Sequence, residues 1–311
     1  MTSTAHRTAG RTAHSVTKPA EAPADTPTQE TPAEETPTET TSAWTADTVG
    51  QIERLARRIR LRAVRMIAPH GFGYLGQALS AAETIATLHT GFFRPGTDRF
   101  VCSPGHYIIT AYAAAAEAGI LPDAELARYG QDGSEIEAIG TERSPGTDLT
   151  CGSLAQGLSG GAGFALADRL RGVEGTRRTF VLVSDGEVEE GQTWEAALYA
   201  AHHRLGDLVV LLDANDSQVD GPVSSLTTVE PLAEKWRSFG WYAEDVDGHD
   251  PVRLLHALAK AVADPRPSVV IARTSTTHGL SCLPPEADGH FIKMPAELAE
   301  LALGELADDH A

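Results

Sequence analysis

Apolar residues recur at Ile52, Leu55, Ile59, Ala63 and Met66, the spacing that gives an α-helix one buried face. Thr48, with Gln51 three positions later, is placed to cap this helix, and Pro69-His70-Gly71 to end it. Downstream, helical periodicity covers 80–92, 105–118, 152–170, 193–204 and 252–263. Between these lie short runs at 99–103, 179–183, 208–212 and 268–272, rich in β-branched residues and apolar at successive positions. A strand with no polar face is covered on both sides, which is the condition of a buried parallel sheet. The pattern therefore predicts an α/β fold, a doubly wound and mainly parallel sheet flanked by helices. No internal repeat interrupts it.

Residues 1–44 depart from this pattern. They are almost entirely Thr, Pro, Ala, Glu and Ser, with no aromatic residue before Trp44. Such a segment buries too little surface to offset the entropy of ordering. The expected organisation is a disordered tail over 1–44 and one α/β domain over 45–311.

Composition narrows the partners. An apolar content of 41% over 311 residues supports a sizeable core. The net charge of -18 argues against non-specific nucleic-acid binding, which depends on cations meeting phosphates. Cys102, Cys151 and Cys282 are odd in number and far apart, without a CxxC pair, so neither a disulfide framework nor a structural zinc site is expected. No run is apolar enough for a signal peptide or long enough to span a bilayer. A cytoplasmic chain with no membrane or nucleic-acid partner is the expectation. Arg54, Arg57, Arg58, Arg60, Arg62 and Arg65 fill the remaining faces of the first helix. They are expected to be solvated or intersubunit, with docking of an acidic carrier protein as the alternative.

Candidate chemistry concentrates between Phe180 and Gly221. In an open parallel sheet, ligands bind beyond the carboxyl ends of the strands, where strand order reverses. Asp185 follows one strand and Asn215 follows the next. If those strands are neighbours, a carboxylate, an amide oxygen and a loop carbonyl converge. Such hard oxygens suit Mg²⁺ sharing its charge with a phosphorylated ligand. Gly152, Gly157, Gly160, Gly161 and Gly163 either let a backbone approach a phosphate or pack a helix closely.

This stretch resembles the thiamine-diphosphate signature, a Gly-Asp-Gly followed some way on by Asn. Asp185-Gly-Glu-Val-Glu-Glu190-Gly191, Trp194-Glu-Ala-Ala197, Asp213-Ala-Asn215 and Asp220-Gly221 resemble the transketolase family in particular. Arg99-Phe-Val-Cys-Ser-Pro-Gly105-His106 and Cys151-Gly152-Ser153-Leu154-Ala155-Gln156-Gly157-Leu158 extend the likeness, which runs from about Arg60 to the region of His290. The resemblance implies a thiamine-diphosphate-binding fold of the diphosphate-anchoring type. It implies Mg²⁺ held by Asp185, Asn215 and the Ser217 carbonyl, and diphosphate oxygens bonded by His106 and His290. It further implies that the Gly152 carbonyl receives the aminopyrimidine amino group, that Leu154 packs on the thiazolium, and that Ser184 and Gly186 border the cofactor. Glu190 is implied at the subunit interface, in an acidic path linking paired sites; it joins His106 and His290 as a catalytic candidate.

Three positions depart from the family. Ser184 replaces the first glycine of the signature. Tyr74 and Ile139 stand where the family carries two histidines that face the sugar. These departures imply a cofactor held as in the family but a different donor or acceptor. The resemblance also stops short of the domain that carries the pyrimidine-binding glutamate. The chain thus resembles the N-terminal subunit of a split transketolase, working with a separate C-terminal subunit in an α₂β₂ assembly. Two alternatives stand beside it: an acyl-generating subunit of the 2-oxo-acid dehydrogenase kind that loads a carrier thiol, and a non-catalytic regulatory subunit.

Overall fold

The computed structural model describes residues 44–284, 287 and 289–307. Its strands are β1 (Phe72–Gly73), β2 (Arg99–Pro104), β3 (Leu149–Cys151), β4 (Thr179–Ser184), β5 (Leu208–Ala214), β6 (Tyr242–Asp247), β7 (Ser268–Arg273) and β8 (Ile292–Lys293). Six form one sheet in the order β3-β2-β4-β5-β7-β6, and every neighbouring pair is parallel. The chain moves outward from β2 to β3, then crosses back to enter β4 on the other side of β2. That reversal opens a crevice at the carboxyl ends of β2 and β4.

All positions of β4 and β5 are buried, as their apolar runs require. Alternate residues face opposite layers. Phe180, Leu182, Val209 and Leu211 join the core beneath helices Ala46–Ile67, Ala82–Gly91, Ile108–Glu117 and Pro251–Ala263. Val181, Val183, Val210 and Leu212 join the core with Trp236 and Trp241, beneath Gln156–Leu170, Gly191–His202 and Leu232–Ser238. This two-sided covering is the doubly wound architecture the sequence predicts.

The structure departs from the sequence reading at several points. The first helix is capped by Thr45, whose hydroxyl accepts the Thr48 N–H at 3.2 Å, so it begins three residues earlier than expected. Asp47 adds an acidic residue to its first turn, where the helix dipole favours one. Trp44 packs on Phe92 with ring centroids 5.6 Å apart; the rest of the expected 1–44 tail lies outside the described residues. Four of the six arginines on this helix find partners within the chain, while Arg54, Arg58 and Arg65 stay exposed, as a solvated face would be. Arg60 is buried against Glu83, Arg58 and Arg62 both pair with Glu117, and Arg57 donates to the carbonyls of Glu305 and Leu306. Finally, the glycine-rich helix starts at Gln156, not Gly152. A side chain at Gly157, Gly160 or Gly161 would strike Ser103, Leu149 or Val181, so these glycines serve close packing of helix on sheet.

The ribbon β1–β8 was not foreseen. It pairs Gly73 with Ile292 in antiparallel register and so draws Tyr74 and His290, distant in sequence, to one place.

Candidate active site

The parallel pairing of β4 with β5 sets Ser184 opposite Asp213, so the residues that follow share one rim. There the Asp185 carboxylate accepts the Gly186 N–H at 2.9 Å and the Asp216 N–H at 2.6 Å. Asp185 and the Asn215–Ser217 loop are therefore in direct contact. Burial, and then the neighbouring Asp213, push the Asp185 carboxyl up to about 7. A cation placed there would relieve both penalties.

Asn215 is held from behind. Its amide nitrogen donates to Asp213 Oδ2 at 2.7 Å and to the Tyr107 hydroxyl at 2.8 Å. Its Oδ1 consequently turns to the loop, where it accepts the Ser217 N–H at 3.0 Å. Asp213 itself is buried and accepts from Ser80, Tyr107 and Thr274 as well. Burial raises its pKa, and these neutral donors pull the other way. Asp213 stands within the Asp-Ala-Asn segment, yet neither it nor its partners Ser80, Tyr107 and Thr274 stand out as site residues in the sequence.

A cavity of about 280 Å³ opens over the crevice. It is lined by Tyr74, His106, Ile139, Gly152, Leu154, Ser184, Gly186, Ser217 and His290, together with Gln218 and Val219. The imidazoles of His106 and His290 lie 5.1 Å apart, each within 6 Å of the Tyr74 ring. Burial, with help from His290, holds His106 down at about 3, so its ring is neutral near pH 7. Gln77 donates to the His290 carbonyl at 3.1 Å and fixes that residue from within the protein. A wider cavity of about 420 Å³ lies beside the first and is bordered by Asp185, Asp216 and Arg273, but it contains neither histidine. Glu190 is not brought to either cavity; it is exposed and begins helix Gly191–His202.

The donor set fits the expected group. One carboxylate, one amide oxygen and one backbone carbonyl are oxygen ligands of the kind Mg²⁺ takes, and the two imidazoles on the same cavity wall carry ring N–H groups of the kind phosphate oxygens accept from. Gly152 is exposed, with only Ile139 near where a Cβ would project, so an incoming ring would find its backbone accessible. A second cluster, Glu83, His249 and His278, also gathers potential metal ligands. It is built as an ion pair instead. Arg60 already grips both Glu83 oxygens at 2.6 Å. The Ser275 N–H donates to His249 Nε2 at 2.8 Å, which assigns the His249 proton to Nδ1, facing Glu83 at 3.1 Å. A cation would have to displace that proton while beside a buried guanidinium.

Glu187 was missed outright. The sequence shows three acidic residues after Asp185-Gly186 and nothing to say which one turns inward. In the structure it is Glu187, fully buried.

Comparison with known proteins matches residues 52–297 to the family model described as transketolase, thiamine diphosphate binding domain. An uncharacterised transketolase-family protein of Sinorhizobium fredii is 40% identical over 259 residues, covering 79% of this chain and 91% of that one. The 6-deoxy-6-sulfo-D-fructose transketolase subunit of a Clostridium species is 33% identical, over 84% of this chain and 98% of its own. Among solved structures, transketolase from Leishmania mexicana superposes with a TM-score of 0.74 at 28% identity. It is matched over 83% of this chain, which spans 41% of that longer one.

Proposed function

The chain belongs to the transketolase thiamine-diphosphate-binding family, and from that premise we propose that it is the diphosphate- and Mg²⁺-anchoring subunit of a two-chain ketol transferase. The observation that carries this reading is the contact between the Asp185 carboxylate and the Asn215–Ser217 loop at the shared rim of β4 and β5. Asp185, Asn215 Oδ1 and the Ser217 carbonyl would hold the metal. His106 and His290, on one wall of the cavity, would donate to diphosphate oxygens. Gly152 and Leu154 would form the wall that receives the rings of the cofactor, with Ser184 and Gly186 at its edge.

When bound, thiamine diphosphate supplies the electron sink that lets a ketose carbon–carbon bond break. The residues of this chain anchor and orient it and keep water from its buried end. The pyrimidine-binding half comes from a companion chain, in an α₂β₂ assembly, and Glu190 at the exposed start of its helix would meet that companion. The match to a relative named as a transketolase subunit, over 98% of its length, supports a chain of this size acting as one half. Free Cys102, Cys151 and Cys282 support a reducing, cytoplasmic setting.

The substrate is not an ordinary sugar pair in this reading. Ile139 lines the cavity with no hydrogen-bonding atom, and Tyr74 is packed edge-on against Phe291 and His290. An acyl unit destined for a carrier thiol would suit this apolar wall too, and product analysis separates a lengthened sugar from a thioester. The test of the main reading is calorimetric titration of the chain with thiamine diphosphate and Mg²⁺, repeated with Asp185→Ala. Saturable binding that the substitution abolishes is expected. Equal binding by both proteins would end the proposal.

A further inference from the structure

Glu187 sits in the short turn Gly186–Glu189, directly after the proposed metal carboxylate, and no part of it reaches solvent. Its Oε1 accepts the Ser103 hydroxyl at 2.6 Å and the Ala155 N–H at 2.7 Å; its Oε2 accepts the Ser184 N–H at 3.2 Å. Among the described residues, no Lys, Arg or His forms an ion pair with it. Its three donors come from three different places. Ser103 is the penultimate residue of β2, Ser184 ends β4, and Ala155 follows β3, so one carboxylate ties together the strand ends on both sides of the crevice.

The Ala155 bond is the informative one. Ala155 has φ 66°, a left-handed conformation that an alanine adopts at a cost. It is also the N-cap of helix Gln156–Leu170, and it has no side chain able to cap it. A carboxylate oxygen at this point answers the missing cap, because it accepts the N-cap N–H at the helix start. The residues just before Ala155 are Gly152 and Leu154, both on the cavity wall.

We propose that Glu187 is a positioning residue: a buried clamp that holds the Gly152–Ala155 turn in the shape that receives the cofactor's rings. The proposal rests on the functional reading above. It also makes the turn dependent on the metal-binding segment, because Glu187 and Asp185 belong to the same short turn.

Hydrogen–deuterium exchange of the full-length chain, without cofactor, tests the clamp itself. The Ala155 amide should exchange as slowly as amides of the central strands, although its neighbours Ser153 and Gln156 are exposed. Exchange at a loop-like rate would refute the clamp without any variant. Glu187→Gln should speed exchange across residues 152–158 by about tenfold, while β5 is unchanged. No change there, or an equal rise across the whole sheet, would overturn the assignment. In titration with thiamine diphosphate and Mg²⁺, Glu187→Gln should weaken binding by about tenfold. Altered exchange with unaltered affinity would show a clamp that does not serve the cofactor, against the proposal. Failure of the unsubstituted chain to bind the cofactor would instead remove the functional reading, and the exchange result would stand apart from it.

Discussion

The carboxylate of Asp185 and the backbone N–H of Asp216 are joined at 2.6 Å, a bond that spans the tips of two adjacent parallel strands. It brings a buried acid against the loop that presents Asn215 and Ser217. Because Asp213 lies close behind, this rim carries two carboxylates in a place with little water to screen them. Such a site is costly empty and relieved when a cation arrives, and several measurable consequences derive from that.

Asp185→Asn should separate stability from binding. Removing one of two neighbouring buried charges offsets the hydrogen bonding lost, so the urea midpoint of the cofactor-free chain should not fall. Affinity for Mg²⁺ with thiamine diphosphate should fall by about a hundredfold, the loss of a single charged ligand. Denaturation curves and calorimetry on the same preparations check both halves.

Asp213→Asn should damage both. The carboxylate accepts from Ser80, Tyr107, Asn215 and Thr274, and an amide would present N–H groups to some of these donors. A stability loss of about 2–3 kcal/mol is expected, with weaker metal binding because Asn215 loses the partner that sets its orientation. Chemical denaturation measures the first effect and metal titration the second.

Acid should weaken the fold through Glu83. Burial pushes its carboxyl up, but the His249 hydrogen bond and the Arg60 guanidinium overcome that and hold it at about 2, against 4.5 for a free glutamate. The native state therefore binds its proton less readily than the unfolded chain. This contribution is complete above pH 4.5 and is lost as pH falls toward 2, at most about 3 kcal/mol. Glu83→Gln should lower stability at pH 7, leaving Arg60 buried without its partner, and flatten the profile across that window. Urea midpoints between pH 7 and pH 2.5 are the measurement.

Ile139→His should restore a hydrogen-bonding group to the cavity wall at little cost in stability, since Ile139 is 37% exposed. With the companion chain present, two-carbon transfer from ordinary ketose donors should rise by about tenfold or more. Unchanged transfer, with cofactor affinity intact, would count against Ile139 as a determinant of donor choice.

The parts of the molecule that could be read from the sequence are those whose environment imposes a period. β4, β5 and β7 are buried on both faces and show as unbroken apolar runs, and Asp185 and Asn215 mark where they end. β6 was not visible, since charged Glu244, Asp245 and Asp247 occupy half its positions, and the three residues of β3 are too few to show a pattern. The meeting of Tyr74 with His290 depends on a ribbon of two residues per strand, which leaves no local trace. The arginines of the first helix show the complementary difficulty. Their number is plain in the sequence, but whether Glu117, Glu83 and the final helix would answer them depends on tertiary packing.

Strand β6 closes the sheet on one side, and an open parallel edge is a template for pairing with another molecule. Here Glu244 is held by Lys260 and Asp245 by Arg273, so the border is studded with fixed charges. A second copy adding its own strand would have to desolvate them. The border is thereby guarded against fibrillar stacking.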